Sequence, residues 1–303
     1  MSDRSAAPIL EINDLHLEIR AERRRIPILR GIDLSVTAGE VHGLVGESGA
    51  GKTMVGKVVL GIEPLRAAVT GGSVKFDRQT ITHLPEGKRR ALMGRGMALI
   101  PQDPMTALNP AFRIGEQITD VLRLHMGLNR AGARARALQL MHDVRMRAPE
   151  RVLRQYPHEL SGGMRQRVLI AIAFSCQPKL IIADEPTTAL DVTVQRQVLG
   201  LIKALQADRG TALLFITHDL GVVAKLCDQV TVLHGGRVLE QGGVDAVFNQ
   251  PRHAYTRALM DATPRYDRPG ETLQPVPPAL TATLNEEADA YDAERGGGGA
   301  RHA

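Results

Sequence analysis

The residues from Gly46 to Thr53 combine three glycines with an adjacent lysine and threonine. They follow an apolar run, Val41 to Val45, which indicates a short buried strand, and Lys52 to Gly61 has the composition of a helix. Glycines in this segment let the backbone curl so that successive N–H groups face one point, where the helix N-terminus adds positive charge. The spacing therefore predicts a loop that binds phosphate groups.

The predicted loop has side chains for a nucleoside triphosphate and its metal ion. Lys52 would bridge the outer two phosphates as a point charge, and the Thr53 hydroxyl would bind Mg²⁺. A glycine loop with an incidental lysine and threonine is the alternative, but the flanking strand and helix favour the phosphate loop. The residues expected to contact the phosphates are Gly46, Glu47, Ser48, Gly49, Ala50, Gly51, Lys52 and Thr53.

A second candidate anion site begins at Ser161, where Ser161, Gly162 and Gly163 precede a long apolar helix that runs through Ser175. Ser161 is a suitable N-cap, and the two glycines leave the free N–H groups of the helix start unshielded by side chains. Taken alone, this segment favours a simple capped helix with a flexible entry.

Two adjacent carboxylates follow the apolar run from Leu180 to Ala183, which indicates a central parallel strand. Ligands of open α/β sheets bind at the carboxyl edge of such strands. Asp184 would hold Mg²⁺ there, directly or through water, and Glu185 would orient or deprotonate an attacking water. A solvated turn is the alternative for this pair.

Two further polar residues follow predicted buried strands. His218 comes after the apolar run 212–216, and Gln102 lies on a proline-flanked connector after the run 97–100. Taken alone, His218 is more simply a cap or a hydrogen-bonded turn residue.

The rest of the pattern predicts a mixed arrangement of an early β-ribbon and a parallel core. Apolar residues at helical spacing fill 113–156 without strand signals, which indicates a helical insertion. A basic turn is expected at Arg23, Arg24 and Arg25. The strands expected here are 9–19 and about 32–36, with an antiparallel hairpin at 71–77, and the helices are 85–93 and 192–208.

The composition of the 303 residues, 43% hydrophobic and 23% charged, is typical of a soluble globular protein with a large core. The net charge of +5 could suit nucleic acid, the anionic inner face of a membrane or no particular partner, and composition does not choose between them. Met1 to Pro8 lacks an apolar signal core, and no apolar run approaches the ~18 residues of a membrane span. Cys176 and Cys227 share no metal-ligand spacing and are interpreted as reduced core residues.

The segment from Thr263 onward is rich in proline, alanine and acidic residues and ends in a glycine run. This composition predicts a largely disordered tail. Just before it, His253 and Tyr255 could be read as a ligand site, but we favour a packed terminal helix.

In order and spacing, these features resemble the nucleotide-binding subunit of an ATP-binding cassette (ABC) transporter from about Ile9 to Ala262. The decisive order is phosphate loop, Gln102 connector, helical block, Leu-Ser-Gly-Gly-Met, strand with Asp184-Glu185, Ala-Leu-Asp191 and His218. The resemblance implies an α/β fold of the P-loop NTPase (RecA-like) class, with a mixed core and an antiparallel β subdomain. The nucleotide-binding domain would span 1–262 with a helical subdomain inserted at about 104–175, and 263–303 would be the tail.

The resemblance also implies how the residues work. Two such domains pair head to tail, so each ATP lies between the phosphate loop of one and the Ser161, Gly162 and Gly163 segment of the other. Gln102 would contact Mg²⁺ or the water and report the nucleotide state to the helical block. Glu185 would act as the base, His218 would hold the γ-phosphate and Asp191 would line the dimer seam. ATP and Mg²⁺ are the expected ligands.

Several stretches look like the ATPase subunits of bacterial dipeptide, oligopeptide and nickel importers: 100–110, 160–167, 183–192 and 251–257. That subfamily implies a second ATPase subunit, usually a different chain although a homodimer stays open. It also implies two membrane permeases, an extracytoplasmic binding protein and a peripheral location on the cytoplasmic face of the bacterial inner membrane.

Two departures from the subfamily matter. Members often carry a C-terminal cysteine set for an iron–sulfur cluster, and this sequence has no cysteine after Cys227, so we expect no cluster. Cassettes usually stack adenine on an aromatic residue in the first strand region. Here the first aromatic residue is Phe76, and Ile19 occupies the corresponding position, where it would offer adenine a weaker apolar contact.

Two rival functions remain at this stage. A soluble cassette ATPase of DNA repair would carry a long coiled coil between loop and signature, and a ribosomal one would usually fuse two cassettes; the sequence has neither. Because both features are missing, we expect no nucleic-acid partner. A non-enzymatic nucleotide sensor is the other rival. The transported substrate stays open among peptide, nickel, metal chelate and opine.

Overall fold

The computed structural model describes residues 7–21, 24–188, 190–263 and 275–296. The strands are β1 (Pro8–Ala21), β2 (Arg24–Thr37), β3 (Val41–Val45), β4 (Ala67–Phe76), β5 (Gln79–Thr80), β6 (Met97–Ile100), β7 (Leu180–Asp184), β8 (Ala212–Thr217), β9 (Gln229–His234) and β10 (Arg237–Gly243).

The helices alternate with these strands, and a 3₁₀ turn covers Pro157–Glu159. They are α1 (Lys52–Leu60), α2 (Glu86–Ala91), α3 (Pro104–Ala107), α4 (Ile114–Met126), α5 (Arg130–Asp143), α6 (Pro149–Val152), α7 (Gly162–Phe174), α8 (Val192–Arg209), α9 (Leu220–Leu226), α10 (Val244–Asn249), α11 (Ala254–Asp261) and α12 (Pro278–Gly296).

The described residues divide into two compact units. The loop unit comprises those of 10–36, 41–84 and 216–303, and the helical unit comprises those of 1–9, 37–40 and 85–215. The mixed fold predicted from the sequence, with an antiparallel sheet and a parallel core, is confirmed by this arrangement.

The loop unit contains an antiparallel sheet with the strand order β2-β1-β4-β5. β1 pairs with β4 from Leu10 opposite Phe76 to Ile19 opposite Ala67, and the register shifts between Asn13 and His16. Apolar residues of β1 such as Leu10 are fully buried, because one face of the ribbon packs inward.

A second set of strands in the loop unit positions the phosphate loop. β3 runs parallel to β9, with Val45 opposite Val232, and β10 turns back antiparallel to β9 through Gly235 and Gly236. Helices α9, α10 and α11 cover a core on this set of strands. Its buried members are Val45, Leu220, Val223, Val230, Val232, Val244, Val247, Tyr255, Leu259, Met260 and Leu284.

The helical unit is built on the strand order β8-β7-β6. β6 and β7 are parallel, with Met97 opposite Leu180 and Ile100 opposite Ala183, and all of β8 is buried. Between 101 and 179 the described residues form only helices and turns.

The basic turn predicted at Arg23, Arg24 and Arg25 is wrong for its last two residues. β2 already begins at Arg24, so the second strand is longer than expected. Arg24 and Arg25 are exposed, and an exposed strand end has no apolar alternation to mark it. Arg23 lies outside the described residues.

The predicted disorder of the tail does not hold at 278–296, where α12 forms a 19-residue helix. Leu284 and Ala288 on this helix are buried, and Leu280 packs against the same apolar core as Leu284. The remaining parts of the predicted tail, 264–274 and 297–303, lie outside the described residues. Before the tail, the packed helix expected at Tyr255 is confirmed by α11, where Tyr255 is fully buried.

Across the described part of the chain, no helix combines the length and the apolar character that crossing a membrane requires.

Candidate active site

The phosphate loop connects β3 to α1 through a backbone that favours glycine. The angle φ is 154° at Gly46, 85° at Gly49 and 100° at Gly51, all in the region that other residues rarely adopt. A Cβ at Gly46 would lie only 2.1 Å from the carbonyl oxygen of Leu233. Conformation therefore favours glycine at all three positions, and at Gly46 the lack of space excludes a side chain as well.

Lys52 places its positive charge inside this loop. Its Nζ donates hydrogen bonds of 2.8 Å to the carbonyl oxygens of both Gly46 and Glu47, and the residue is only 5% exposed. Because Lys52 is the first residue of α1, its ammonium group and the helix N-terminus act at the same place. Thr53 follows on the first turn of α1 and is half-buried. The arrangement suits an anion with several negative charges.

Three residues that were not among the predicted site residues contact the phosphate loop: Tyr255, His234 and Gly236. The N–H of Glu47 donates to the Tyr255 hydroxyl at 3.4 Å, and the Glu47 carboxylate lies 3.8 Å from His234 Nδ1. The N–H of Gly236 donates to the Ala50 carbonyl at 3.1 Å. Burial, together with the nearby Glu47 carboxylate, raises the pKa of Tyr255 above its usual value, so its hydroxyl stays neutral.

Gln102 and Glu185 meet where β6 and β7 end. Because Ile100 lies opposite Ala183 in parallel register, the residues leaving the two strands are neighbours. Gln102 Nε2 donates to Glu185 Oε2 at 3.1 Å, and Thr188 Oγ1 donates to the same oxygen at 2.9 Å.

Glu185 also has an unusual backbone conformation, with φ at 43°. A non-glycine residue held in the left-handed region is strained, and such strain clusters at functional sites. Asp184, the last residue of β7, precedes it at the carboxyl edge of the strand and is half-buried. This pair of carboxylates is therefore presented on a fixed turn, with one oxygen of Glu185 oriented by two donors.

Ser161 caps α7 as predicted, accepting a 3.4 Å hydrogen bond from the N–H of Met164 on its Oγ. A Cβ at Gly162 would have no atom within 4 Å, so the helix start is open. A cavity of about 380 Å³ lies against it, lined by Ser161, Gly162, Gly163, Met164, Arg167, Leu190, Asp191, Val194 and Gln197.

Asp191 lies in that cavity wall and also caps α8, since its Oδ1 accepts from the N–H of Val194 at 2.9 Å. Arg167 is the cation of the cavity. Burial and the neighbouring Arg145 lower its pKa from the usual arginine value. The cavity thus combines an open helix start, a guanidinium and one carboxylate.

The remaining predicted site residues are Ile19 and His218. Ile19 is half-buried on β1 opposite Ala67, and His218 is exposed immediately after β8. The phosphate loop, Ile19 and His218 belong to the loop unit. The helical unit carries Gln102, Asp184, Glu185, Asp191 and the Ser161, Gly162 and Gly163 segment.

The order of these groups along the chain matches a known family. The family model for the ABC transporter matches residues 29–188, and a model for the oligopeptide/dipeptide transporter C-terminal region matches residues 239–288. The chain belongs to the ABC transporter family. As a member of it, the chain is an ABC-type ATPase.

Relatives of this ABC ATPase support the assignment over most of its length. It is 44% identical to a probable peptide ABC transporter ATP-binding protein, y4tR, of Sinorhizobium fredii, over 94% of this chain and 85% of the relative. It is 43% identical to the oligopeptide transport ATP-binding protein OppD of Salmonella typhimurium, over 89% of this chain and 80% of that protein. The probable D,D-dipeptide transport ATP-binding protein DdpD of Escherichia coli is 44% identical over 89% and 83% of the two chains.

Solved structures confirm the predicted fold of this ABC ATPase. A dimeric, post-hydrolysis structure of the ATP-binding cassette MJ0796 with ADP and Pi superposes with a TM-score of 0.70 at 24% identity, covering 78% of this chain and 98% of that one. The structure of cbiO1 from Clostridium perfringens, part of the ABC transporter complex cbiONQ, gives a TM-score of 0.67 at 27% identity, covering 80% and 91%.

Proposed function

We propose that this chain is the ATP-hydrolysing subunit of a bacterial peptide importer, and that it works as a head-to-tail pair of cassettes. The observation that supports the proposal is that two separate helix N-termini of the chain have features suited to an anion. The loop at Lys52 surrounds an ammonium group. Helix α7 begins at an open N-terminus that is capped by Ser161 and has a cavity beside it. In a head-to-tail dimer, one ATP would contact the phosphate loop of one subunit and the N-terminus of α7 of the other, which accounts for the two features in one chain.

In this proposal the loop holds the ATP phosphates, and Glu185 takes the proton from the attacking water. Its two hydrogen-bond donors, Gln102 and Thr188, fix the orientation of the carboxylate before ATP arrives. His218 holds the γ-phosphate and Asp191 lines the dimer seam. Ile19 contacts adenine by apolar packing alone, in place of an aromatic residue.

Mg²⁺ prefers oxygen ligands, and the residues proposed to hold it carry such groups. Thr53 would offer a hydroxyl, Asp184 a carboxylate and Gln102 its amide oxygen, since the amide nitrogen of Gln102 faces Glu185. When bound, Mg²⁺ would neutralise charge on the transferred phosphoryl group. The protein residues then position the water and the phosphates around it.

The partners follow from the proposal. They are a second ATPase subunit, which is a different chain or a second copy, two membrane permeases and an extracytoplasmic binding protein. The chain would then lie on the cytoplasmic face of the inner membrane. Peptides are favoured as the cargo because the three relatives described above are named as peptide, oligopeptide and D,D-dipeptide transport proteins. Nickel, metal chelates and opines are the alternatives that a transport assay must include.

A mixing experiment tests the head-to-tail site. Lys52→Ala damages only the loop, and Ser161→Asp damages only the helix start. In a dimer that combines the two variants, one composite site is intact, so ATPase activity should appear on mixing two inactive proteins. The matched control mixes wild-type chain with the Lys52→Ala/Ser161→Asp double variant, where every mixed dimer lacks an intact site.

If one chain encloses the whole site, the opposite result follows. A mixture of Lys52→Ala and Ser161→Asp then shows no ATPase activity. Addition of the double variant to the wild-type chain then leaves the wild-type ATPase activity unchanged. A pull-down that recovers DNA or ribosomes instead of permeases would favour the soluble cassette ATPase, and ATP binding without hydrolysis in the assembled complex would favour a sensor.

A further inference from the structure

Helix α12 is anchored to β2, within the loop unit, by a partly buried ion pair. Arg30 Nε and Nη2 donate to the two carboxylate oxygens of Asp292 at 2.9 and 2.7 Å. The side chains are only 13% and 24% exposed, so the pair is shielded from solvent. Bidentate arginine–carboxylate pairs of this kind fix geometry as well as charge.

The same arginine holds the turn between β9 and β10. Arg30 Nη1 donates to the Gly235 carbonyl at 2.7 Å, and the backbone N–H of Arg30 donates to the Gly236 carbonyl at 2.8 Å. The N–H of Gly236 then donates to the carbonyl of Ala50 in the phosphate loop at 3.1 Å. A continuous series of hydrogen bonds therefore runs from Asp292 to the phosphate loop.

The turn has little room to move between these contacts. Gly236 has φ at 74°, and a Cβ there would lie 2.1 Å from the Ile28 carbonyl oxygen. The turn thus contacts β2 at Ile28 and the phosphate loop at Ala50, which leaves it little space. A shift of Arg30 must be passed on to Gly236, because tightly packed groups transmit displacement.

A second contact joins α12 to the same loop. His234 lies between Asn285 of α12, with 3.4 Å from Nε2 to Oδ1, and Glu47 of the phosphate loop, with 3.8 Å from Nδ1 to Oε2. The ring of His234 also packs on Tyr255, at a centroid distance of 4.7 Å. Two sets of contacts therefore connect α12, through the segment 234–236, with the residues on either side of Gly49.

We propose that Asp292 and Arg30 are positioning residues for the phosphate loop, so that the docked helix α12 sets the affinity of the chain for ATP. This inference rests on the proposed ATPase function and deepens it. Asp292 lies beyond the residues 239–288 that the C-terminal region model matches, so the contact is not part of that matched pattern. The charge pair holds Arg30 in place, and Arg30 holds the turn under the loop.

The test compares three variants of the full-length chain. Asp292→Asn removes the charge and one acceptor oxygen, and Asp292→Glu keeps the carboxylate on a longer side chain. Glu287→Gln is the matched control, because Glu287 lies on the same helix and pairs with Arg237 at 3.7 Å, but is 54% exposed and outside the series to Ala50. The readouts are the equilibrium Kd of a fluorescent ATP analogue and the KM and kcat of ATP hydrolysis.

Asp292→Asn should raise both the Kd and the KM for ATP by roughly tenfold, while kcat stays within about twofold, because the pair acts on binding of the ground state. Asp292→Glu should recover most of the affinity, and Glu287→Gln should match wild type. An unchanged Kd in Asp292→Asn, or an equal rise in Glu287→Gln, would overturn the inference. If the wild-type chain failed to bind the ATP analogue at all, the proposed ATPase function itself would be wrong.

Discussion

The amide nitrogen of Gln102 lies 3.1 Å from the carboxylate of Glu185, although 83 residues separate the two along the chain. The parallel pairing of β6 with β7 produces this contact, since both residues leave the same edge of adjacent strands. The hydrogen bond orients the carboxylate and ties it to the connector that enters the helical insertion. A change at Glu185 is therefore expected to separate binding from turnover.

Replacing Glu185 with glutamine should lower ATP turnover by on the order of 10²–10⁴-fold, the usual contribution of a general base. ATP binding should persist, because the phosphate loop is untouched, and the ATP-bound head-to-tail dimer should accumulate because hydrolysis no longer removes the ATP. Turnover is measured by phosphate release and the dimer by size-exclusion chromatography with ATP. Near-normal turnover in Glu185→Gln would contradict the role given to this carboxylate, and Glu150→Gln on the surface of α6 serves as the control.

A pair of substitutions at Ser161 separates capping from phosphate contact. Asp and Asn both replace serine well as N-caps, so each should change the free energy of unfolding by less than about 0.5 kcal/mol. Ser161→Asp adds a negative charge where a γ-phosphate would lie, and a repulsion of roughly 1–4 kcal/mol at 4 Å should abolish ATP-driven dimerisation. Ser161→Asn adds no charge and should dimerise with ATP. Equal dimerisation of the two variants would show that no phosphate binds at the N-terminus of α7.

The local elements were predictable because their ends carry signals. β6 begins and ends as expected between Gly96 and a proline connector, and α8 ends at Gly210, which adopts φ of 62°. Local spacing also predicted the phosphate loop, since the glycines act through their own backbone. These features depend on neighbours within a few residues.

The features that the sequence did not predict depend on distant residues. Tyr255 contacts Glu47 across 208 positions, and Asp292 contacts Arg30 across 262. The sequence of α12 predicts disorder, because its composition is acidic and poor in large apolar residues. Two ion pairs and a few buried side chains hold it, and composition does not encode such pairing.

The raised pKa of Tyr255 predicts a specific loss of stability at alkaline pH. In the unfolded chain this hydroxyl titrates near pH 10, whereas burial keeps it protonated in the folded chain to a higher pH. The folded state then binds the proton more tightly, so stability is intact below pH 10 and falls as pH rises toward the folded pKa. The loss is at most about 1.4 kcal/mol per pH unit.

The matched comparison is Tyr255→Phe, which keeps the ring and lacks the titrating group. Urea unfolding at about pH 8 and about pH 11 should show a larger drop in unfolding free energy for wild type than for Tyr255→Phe. At about pH 8 the variant should lose about 1 kcal/mol, the usual value of one hydrogen bond, and its KM for ATP should rise because Glu47 loses its support. Parallel pH profiles for the two proteins would show that the Tyr255 hydroxyl is not protected by burial.

The two glycines at the start of α7 should respond differently to alanine. A Cβ at Gly163 would lie 2.8 Å from Val194 Cγ1, so Gly163→Ala should lower the free energy of unfolding by about 1–3 kcal/mol through overpacking. Adding Val194→Ala should restore part of that loss. At Gly162 the methyl group meets no protein atom within 4 Å, so stability should stay near wild type.

That same methyl group would project into the open helix start, where a phosphate from the opposite subunit would approach. Gly162→Ala should therefore weaken ATP-driven dimerisation while thermal unfolding without nucleotide is unchanged. Differential scanning fluorimetry and size-exclusion chromatography with ATP measure the two effects. If Gly162→Ala dimerised as wild type does, the space in front of α7 would not receive the nucleotide, because a methyl group there could not be accommodated beside a bound phosphate.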